Sequence, residues 1–321
     1  MDYQQLILVF TSIIYEALPF IVLGVIIAGL LEEFVPQQAI AKVIPSNRLF
    51  AIGLGGLLGA IFPMCECGII VVMRRLLRKG LPLSVCAAYV LAGPVINVVV
   101  ITSTYVAFNP PVRKDYVLGG PVNVVLLRAG LAYLTAIVTA WIVEIQWRRY
   151  GTGLLHPSVT RGLRSADDDD DETVAGSRTW KQRIGAISET ALNDFVDIMA
   201  FLVIGAAVAA GGRLVLQQGN FVNLIQNQPA ISILIMMGMA ILFCLCSEAD
   251  AFVAANFQSF WPPASKMAFL VLGPMLDLKL YIMYTRVFRP RLIFTIIVSL
   301  IVQVFTYSMI LHYLIEWYTG V

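Results

Sequence analysis

Two short polar stretches interrupt otherwise apolar sequence, and each carries cysteines beside acidic residues: residues 63–68 read PMCECG and residues 244–250 read CLCSEAD. Sulfur ligands select soft metals and metalloids, whereas carboxylates prefer hard ions or protons. If the stretches face each other, they offer up to four sulfurs and three carboxylates to one small solute. Cysteine is also a small hydrophobe, so a packing role stays open. The candidate binding residues here are Cys65, Glu66, Cys67, Cys246, Glu248 and Asp250.

Each polar stretch is followed by a Gly-Pro pair and then, three residues after the proline, by Asn97 in one case and Asp277 in the other. Proline removes a backbone donor and frees a carbonyl one turn earlier, so a kink and a ligand contact are both compatible with the pattern. We expect Asn97 and Asp277 to join the binding site, and Lys279 could neutralise an acid there. The expected helix breaks, with a role in gating, are Gly93, Pro94, Gly273 and Pro274.

Further acids lie in apolar segments, at Glu16 and Asp197. An ionised acid at the centre of a lipid-facing helix costs on the order of 3 kcal/mol, so these side chains must face a cavity, find partners or be protonated. They are candidates for proton coupling, although both could lie at helix ends near the membrane surface. Coupling through Glu66, Glu248 or Asp277 is a parallel hypothesis. We expect no resident metal ion and no cofactor.

The composition indicates which class of protein holds these residues in place. The chain has 321 residues, 59% of them hydrophobic and only 13% charged, with a mean hydropathy of +0.82. A soluble domain carries about 25% charged residues, so a soluble enzyme is excluded. The net charge of +2 gives no basic surface for nucleic acid. The sequence predicts an all-α polytopic membrane protein of the cytoplasmic membrane, in contact with lipid and a small-molecule solute.

The apolar sequence divides into roughly eight to ten hydrophobic segments. A bilayer core of about 30 Å needs roughly 20 apolar helical residues. Two segments, 49–80 and 230–260, contain the polar stretches and are each too interrupted to span simply. We interpret them as broken helical hairpins, with a kinked span as the alternative. The clean spans are predicted at about 6–31, 84–108, 120–146, 190–216, 265–287 and 291–316.

The chain also reads as two copies of one unit. A shift of 181 residues places Phe62 and Cys65 on Phe243 and Cys246. Inverted halves, each with three transmembrane helices and one hairpin, put more Lys and Arg on the cytoplasmic side than parallel halves do. Both termini then lie outside. The predicted units are a first repeat at 1–147, a polar cytoplasmic linker with an acidic run at 148–188, and a second repeat at 189–321.

Two stretches resemble a known family. The sequence FPMCECGIIVVMRRLLRKGLPLSVCAAYVLAGPVINVVVI at 62–101 is similar to YraQ/ArsP-type predicted permeases, and LGPMLDLKLY at 272–281 resembles their second-half motif. The resemblance implies a permease of the cytoplasmic membrane, with the best-understood branch linked to efflux of trivalent organoarsenicals. The matching positions are Cys65, Glu66, Cys67, Gly93, Pro94, Asn97, Gly273, Pro274 and Asp277.

These observations favour a secondary transporter over an enzyme. Inverted repeats whose broken helices meet near the membrane midplane are typical of such proteins. The solute would be small and either soft and thiol-reactive, such as a trivalent organoarsenical, or anionic. The alternative is an intramembrane thiol–disulfide electron carrier that uses Cys65 and Cys246. A passive channel explains neither the acids nor the cysteines, and a homo-oligomer is compatible with the sequence.

Overall fold

The computed structural model describes residues 47–61, 65–109, 120–157, 228–257 and 261–319, with a few isolated positions elsewhere. These residues form ten α-helices, one short 3-10 helix and no strand, which confirms the all-helical class for this part of the chain. The predicted spans 6–31 and 190–216, Glu16, Asp197 and most of the linker lie outside the described residues. The helices are α1 Arg48–Ile61, α2 Glu66–Arg78, α3 Leu83–Ala92, α4 Val98–Ala107, α5 Pro121–Tyr150, α6 Pro229–Phe243, α7 Ser247–Asn256, α8 Pro263–Leu272, α9 Leu278–Thr285 and α10 Pro290–Thr319.

Helices α5 and α10 are long and apolar enough to cross a membrane. Each has 30 residues, or about 45 Å of helix, against a hydrocarbon core of about 30 Å. A proline in the first turn starts α5, where its missing N–H has no helical partner to lose. Large apolar side chains such as Leu126 and Phe294 stay exposed, as expected for faces turned toward lipid. The predicted spans 120–146 and 291–316 are confirmed.

The remaining helices are short, because the chain breaks where the polar sequence predicts a break. Helix α1 ends at Ile61 and α2 begins at Glu66, while α6 ends at Phe243 and α7 begins at Ser247. Cys244 ends α6 in the left-handed region, with φ of 48°. A break of this kind exposes backbone carbonyls that must find partners inside the protein.

The predicted spans 84–108 and 265–287 are not continuous helices, which corrects that part of the prediction. Each divides into two short helices around its Gly-Pro pair, α3 and α4 in one case and α8 and α9 in the other. Proline cannot donate a helical hydrogen bond, and a new helix then begins at the next polar side chain, Asn97 or Asp277. Only α5 and α10 are of membrane length among the described helices.

The helices occur in the same order in both halves of the chain. The shift of 181 residues that aligns the sequences also aligns the start of α1 with α6 and the start of α2 with α7. A shift one residue shorter aligns α3 with α8 and α4 with α9. Helices α5 and α10 then match in length. Each element of the first half thus has a counterpart in the second.

Helices α5 and α10 pack against each other in opposite directions. Gln146 Nε2 donates to Thr295 Oγ1 at 2.6 Å, and the hydroxyls of Thr139 and Ser299 lie 3.1 Å apart. Gln303 Nε2 donates to Thr139 Oγ1 at 2.9 Å. Residue numbers fall along α5 as they rise along α10, so the two helices are antiparallel.

The chain after α5 folds back onto the start of α10. A 3-10 helix, Gly151–Leu154, leads into an isolated bridge between Leu155 and Phe288. Arg289 N donates to Leu154 O at 2.9 Å, and Leu154 and Leu155 are buried. The first residues of the predicted linker therefore pack into the protein, and α5 extends to Tyr150, past the predicted boundary at 148.

The two halves also contact each other through their short helices. Helix α2 of the first half packs on α9 of the second, and α7 of the second half packs on α4 of the first. Since α2 and α7 follow the polar breaks and α4 and α9 follow the Gly-Pro turns, this packing brings all four interruptions toward the interior. The side chains at those helix starts form the site described next.

Candidate functional site

The two Gly-Pro turns end in the same way, with a buried side chain that caps the next helix. Val100 N donates to Asn97 Oδ1 at 2.8 Å, and Leu280 N donates to Asp277 Oδ1 at 2.6 Å. An Asn or Asp at this position satisfies a backbone N–H that the helix itself leaves free. Asn97 and Asp277 thus share a structural role, and only Asp277 adds a carboxylate.

Lys279 holds two of the predicted acids together. Its Nζ lies 2.6 Å from Glu66 Oε1 and 3.5 Å from Asp277 Oδ2. The same Nζ donates to Cys244 O at 3.3 Å, so it also satisfies the carbonyl left free by the break after α6. All three charged side chains are at least 98% buried. One cation is therefore shared by two carboxylates and one carbonyl.

Arg128 supplies a second buried cation from the first third of α5. Its Nη1 donates to Thr104 Oγ1 at 2.7 Å and its Nη2 to Ser247 O at 2.8 Å. The guanidinium thus joins α4 to the first residue of α7. Arg128 is 2% exposed, and an arginine inside a membrane segment is expected to have a functional or structural partner.

Asp250, on α7, is a third buried carboxylate near the two cations. It lies within electrostatic range of Arg128, Glu66, Lys279 and Asp277. We call these five side chains, Glu66, Arg128, Asp250, Asp277 and Lys279, the charged centre. They come from α2, α5, α7 and α9, or from the turn before α9, so the centre exists only when the two halves are packed together.

Several buried polar atoms at the centre lack a hydrogen-bond partner in the described part of the chain. They include Asp250 Oδ2, Glu66 Oε2, Ser247 Oγ and Arg128 Nε. Asp250 Oδ2 lies against Gly273, where an added Cβ would come within 2.7 Å of it. An unpaired buried polar atom costs about 1–3 kcal/mol, so atoms of this kind point to a site that takes up a ligand or a proton.

The cysteines lie at the helix starts that the sequence predicted. Cys65 precedes α2 and Cys246 precedes α7. Cys246 Sγ accepts a hydrogen bond from Ala249 N at 3.4 Å and lies 3.7 Å from Glu248 Oε2. Glu248 is half-buried, next to the centre rather than within it.

The described thiols and carboxylates do not form a group that could hold a metal ion. Cys65, Cys86, Cys244 and Cys246 are free and buried, while the side chain of Cys67 lies outside the described residues. Within the residues that the structure describes, no three Cys, His, Asp or Glu side chains are grouped closely enough to hold a metal ion. The carboxylates gather around Lys279 and Arg128 instead.

Sequence reasoning gave Arg128 no role and mentioned Lys279 only as a neighbour that could neutralise an acid. The sequence signal that could have identified both Arg128 and Lys279 is a basic residue within a predicted span. Sequence reasoning also missed Glu144, which lies near the end of α5. Ser84 Oγ donates to Glu144 Oε2 at 2.8 Å, and Arg148 and Arg48 lie 3.2 and 3.8 Å from its Oε1. Glu144 therefore ties the starts of α1 and α3 to the end of α5.

Comparisons with known proteins agree with a membrane site of this kind. The ArsP_1 family, described as predicted permease, matches residues 2–313. The UPF0718 protein YcgR of Bacillus subtilis is 36% identical over 309 residues, which are 96% of this chain and 97% of that protein. A putative two-component membrane permease complex subunit of Streptococcus mutans is 30% identical over 289 residues, 90% of this chain and 89% of that protein. No solved structure matches the chain.

The family match covers nearly the whole chain, including both polar breaks and both Gly-Pro turns. The apolar composition and the two membrane-length helices agree with it. The chain is therefore an integral membrane protein that belongs to the ArsP_1 family of predicted permeases.

Proposed function

We propose that this permease is a secondary transporter that moves a small solute past the charged centre by alternating access. The observation that carries the proposal is the burial of five charged side chains at the meeting point of broken helices from both halves. Ionisable residues inside a membrane protein are costly and mark solute or ion pathways. A rigid scaffold would need none of them.

Alternating access would follow from two inverted repeats that rock against each other around the centre. Two observations support the inversion. The corresponding helices α5 and α10 are antiparallel, and the contacts between halves are reciprocal, α2 with α9 and α7 with α4. In this arrangement the linker 148–188 is cytoplasmic, between repeats at 1–147 and 189–321, and both termini are outside. The two polar breaks would be hairpin tips.

The solute we propose is soft and thiol-reactive, with trivalent organoarsenicals as the representative class. Buried thiols adjoin the charged centre: Cys65 precedes Glu66, and Cys246 lies next to Ser247, whose carbonyl binds Arg128. A thiol can replace a ligand of a trivalent arsenical. The charged side chains keep the surroundings of that thiol polar. The Streptococcus mutans relative is named as a subunit of a two-component complex, so we extend the proposal to a second protein component.

The test is flux of trivalent methylarsenite in proteoliposomes that contain the full chain. We expect the double variant Cys65→Ala/Cys246→Ala to lose flux, with unfolding in detergent measured in parallel to show that it still folds. Cys86→Ala is the matched control, because that buried thiol lies on α3 against Leu81 O rather than at a break. It should keep wild-type flux.

The outcomes separate the parts of the proposal. Equal flux in the wild type and the double variant would remove the thiols from the site and keep a transporter. Absence of flux in the wild type for methylarsenite and a panel of other small soft solutes would contradict the proposed solute class.

A further inference from the structure

We propose that Asp250 carries one exchangeable proton and that the transporter couples solute movement to that proton. The proposal deepens the proposed function and rests on it. Its geometric basis is a buried carboxylate of the charged centre, Asp250, whose Oδ2 has no hydrogen-bond partner, while the other four side chains of the centre carry two positive and two negative charges.

Among the residues that the structure describes, the charge count of the centre requires at least one additional positive charge. Three fully buried carboxylates, Glu66, Asp250 and Asp277, face two cations, Arg128 and Lys279. The half-buried Glu248 adds a further negative charge within range of Arg128. An unbalanced charge in a low-dielectric interior is strongly disfavoured. The missing charge must therefore come from a proton, from a bound cation or from the solute itself.

The contacts of the three carboxylates single out Asp250. Glu66 and Asp277 both lie within ion-pair distance of Lys279, and Asp277 also accepts the backbone N–H of Leu280. Asp250 is 1% exposed, and its Oδ2 has no hydrogen-bond partner. Arg128 lies within electrostatic range, but its guanidinium donates to Thr104 and to the Ser247 carbonyl and forms no hydrogen bond with Asp250 Oδ2.

Among the described residues, the surroundings of Asp250 supply no other counter-charge. The charged groups in range are Arg128 on α5, Glu66 on α2, and Asp277 and Lys279 at the start of α9. Helix α8 contributes Gly273, which has no side chain, and its Lys266 donates instead to Phe257 O. Helix α4 carries no charged residue, and its Tyr105 is exposed.

The position of Lys279 favours a proton over a metal cation such as Na⁺. Lys279 Nζ already occupies the position between Glu66 and Asp277, so these carboxylates are not free to form an oxygen cage. A proton on Asp250 Oδ2 leaves two ionised carboxylates and two cations among the five side chains of the charged centre. The proton would come from water on the side to which the centre is open and would return to water on the other side.

The first test is independent of any solute. Infrared difference spectra of the reconstituted protein, recorded as a function of pH, should show one buried carboxyl group that titrates in the wild type. Asp250→Asn should abolish that signal. Glu316→Gln, which removes a half-exposed acid on α10, is the matched control and should retain it. A signal of unchanged size in Asp250→Asn would overturn the proposal.

The second test measures coupling with trivalent methylarsenite, at zero membrane potential. With one proton per solute, one unit of imposed pH difference should change the steady-state solute ratio about tenfold, since 1.4 kcal/mol corresponds to a factor of ten. Asp250→Asn should show no such dependence but should still exchange labelled for unlabelled solute. Gradient-driven accumulation that persists in Asp250→Asn, or that follows a Na⁺ gradient instead, would contradict the proposal.

Asp250→Ile provides a second variant should Asp250→Asn fold poorly, because the first half has Ile69 at the corresponding position beside Gly93. It should likewise lose the infrared signal. If the wild type moves no solute of the panel, the proposed solute class fails, while the infrared result still decides whether Asp250 holds the proton.

Discussion

The two halves of the chain hold different chemistry in matching places. Asn97 and Asp277 both cap the helix that follows a Gly-Pro turn. Beside the glycine of that turn lies Ile69 in the first half and Asp250 in the second. The cap keeps an oxygen in both halves because the backbone needs an acceptor there, whereas the neighbouring position changes from an apolar residue to an acid. Backbone geometry is therefore shared, while the acids beside the turn and at the cap occur only in the second half.

The largest difference between the halves is at Lys279, which corresponds to Val99. Lys279→Met should destabilise the protein by about 3–5 kcal/mol, because it leaves Glu66 and Asp277 buried without their cation. Denaturant unfolding in detergent measures this cost. Val99→Met is the matched control in the first half, since Val99 is 46% exposed, and it should change stability by less than about 0.5 kcal/mol. Equal stabilities for the two variants would show that Lys279 is not the common partner of the two acids.

The local parts of this comparison could be predicted from the sequence. Polar residues in apolar segments marked both breaks, and Gly-Pro followed by Asn97 or Asp277 marked both turns. What such local signals cannot give is which side chains meet. Arg128 reaches Ser247 O across 119 residues of sequence, and that contact depends on how α5, α4 and α7 pack. For the same reason, the sequence did not show that Glu66 and Asp277 share Lys279 as their cation.

Substitutions of the two turn glycines should distinguish effects on stability from effects on transport. A Cβ at Gly93 would overlap Ile69 Cδ1 and would come within 2.6 Å of Tyr89 O. Gly93→Ala should therefore destabilise the protein by about 1–3 kcal/mol through overpacking. A Cβ at Gly273 would meet Asp250 Oδ2 at 2.7 Å. Gly273→Ala should therefore reduce stability less than Gly93→Ala does, but reduce transport more, because it displaces the acid.

Unfolding and methylarsenite flux measured on both glycine variants test this difference. If Gly273→Ala kept full flux, the position of Asp250 beside the turn would not matter for transport. If Gly93→Ala lost flux without loss of stability, the first half would also contribute directly to the site.

The caps should be equivalent in the two halves once charge is removed. Asp277→Asn keeps an acceptor for Leu280 N and should cost little stability, whereas Asp277→Ala and Asn97→Ala should each lose about 1 kcal/mol, the usual value of a helix cap. Denaturant unfolding of the three variants is the measurement. A much larger loss in Asn97→Ala than in Asp277→Ala would mean that Asn97 has a further partner and that the two turns are not structurally alike.

The smallest expected effect lies at Glu144, which has no acidic counterpart in α10. Ser84→Ala removes one hydrogen bond to Glu144, which keeps its ion pair with Arg148, so stability should fall by roughly 0.5–1 kcal/mol. Ser265→Ala is the control in the second half, because that hydroxyl donates only within its own turn, to Pro262 O, and its loss should be smaller. If the two variants lost equal stability, Glu144 would not be tying α3 to α5. If Ser84→Ala instead altered flux at unchanged stability, the contact would regulate how the helices move, and the asymmetry between the halves would extend from the charged centre to the end of α5.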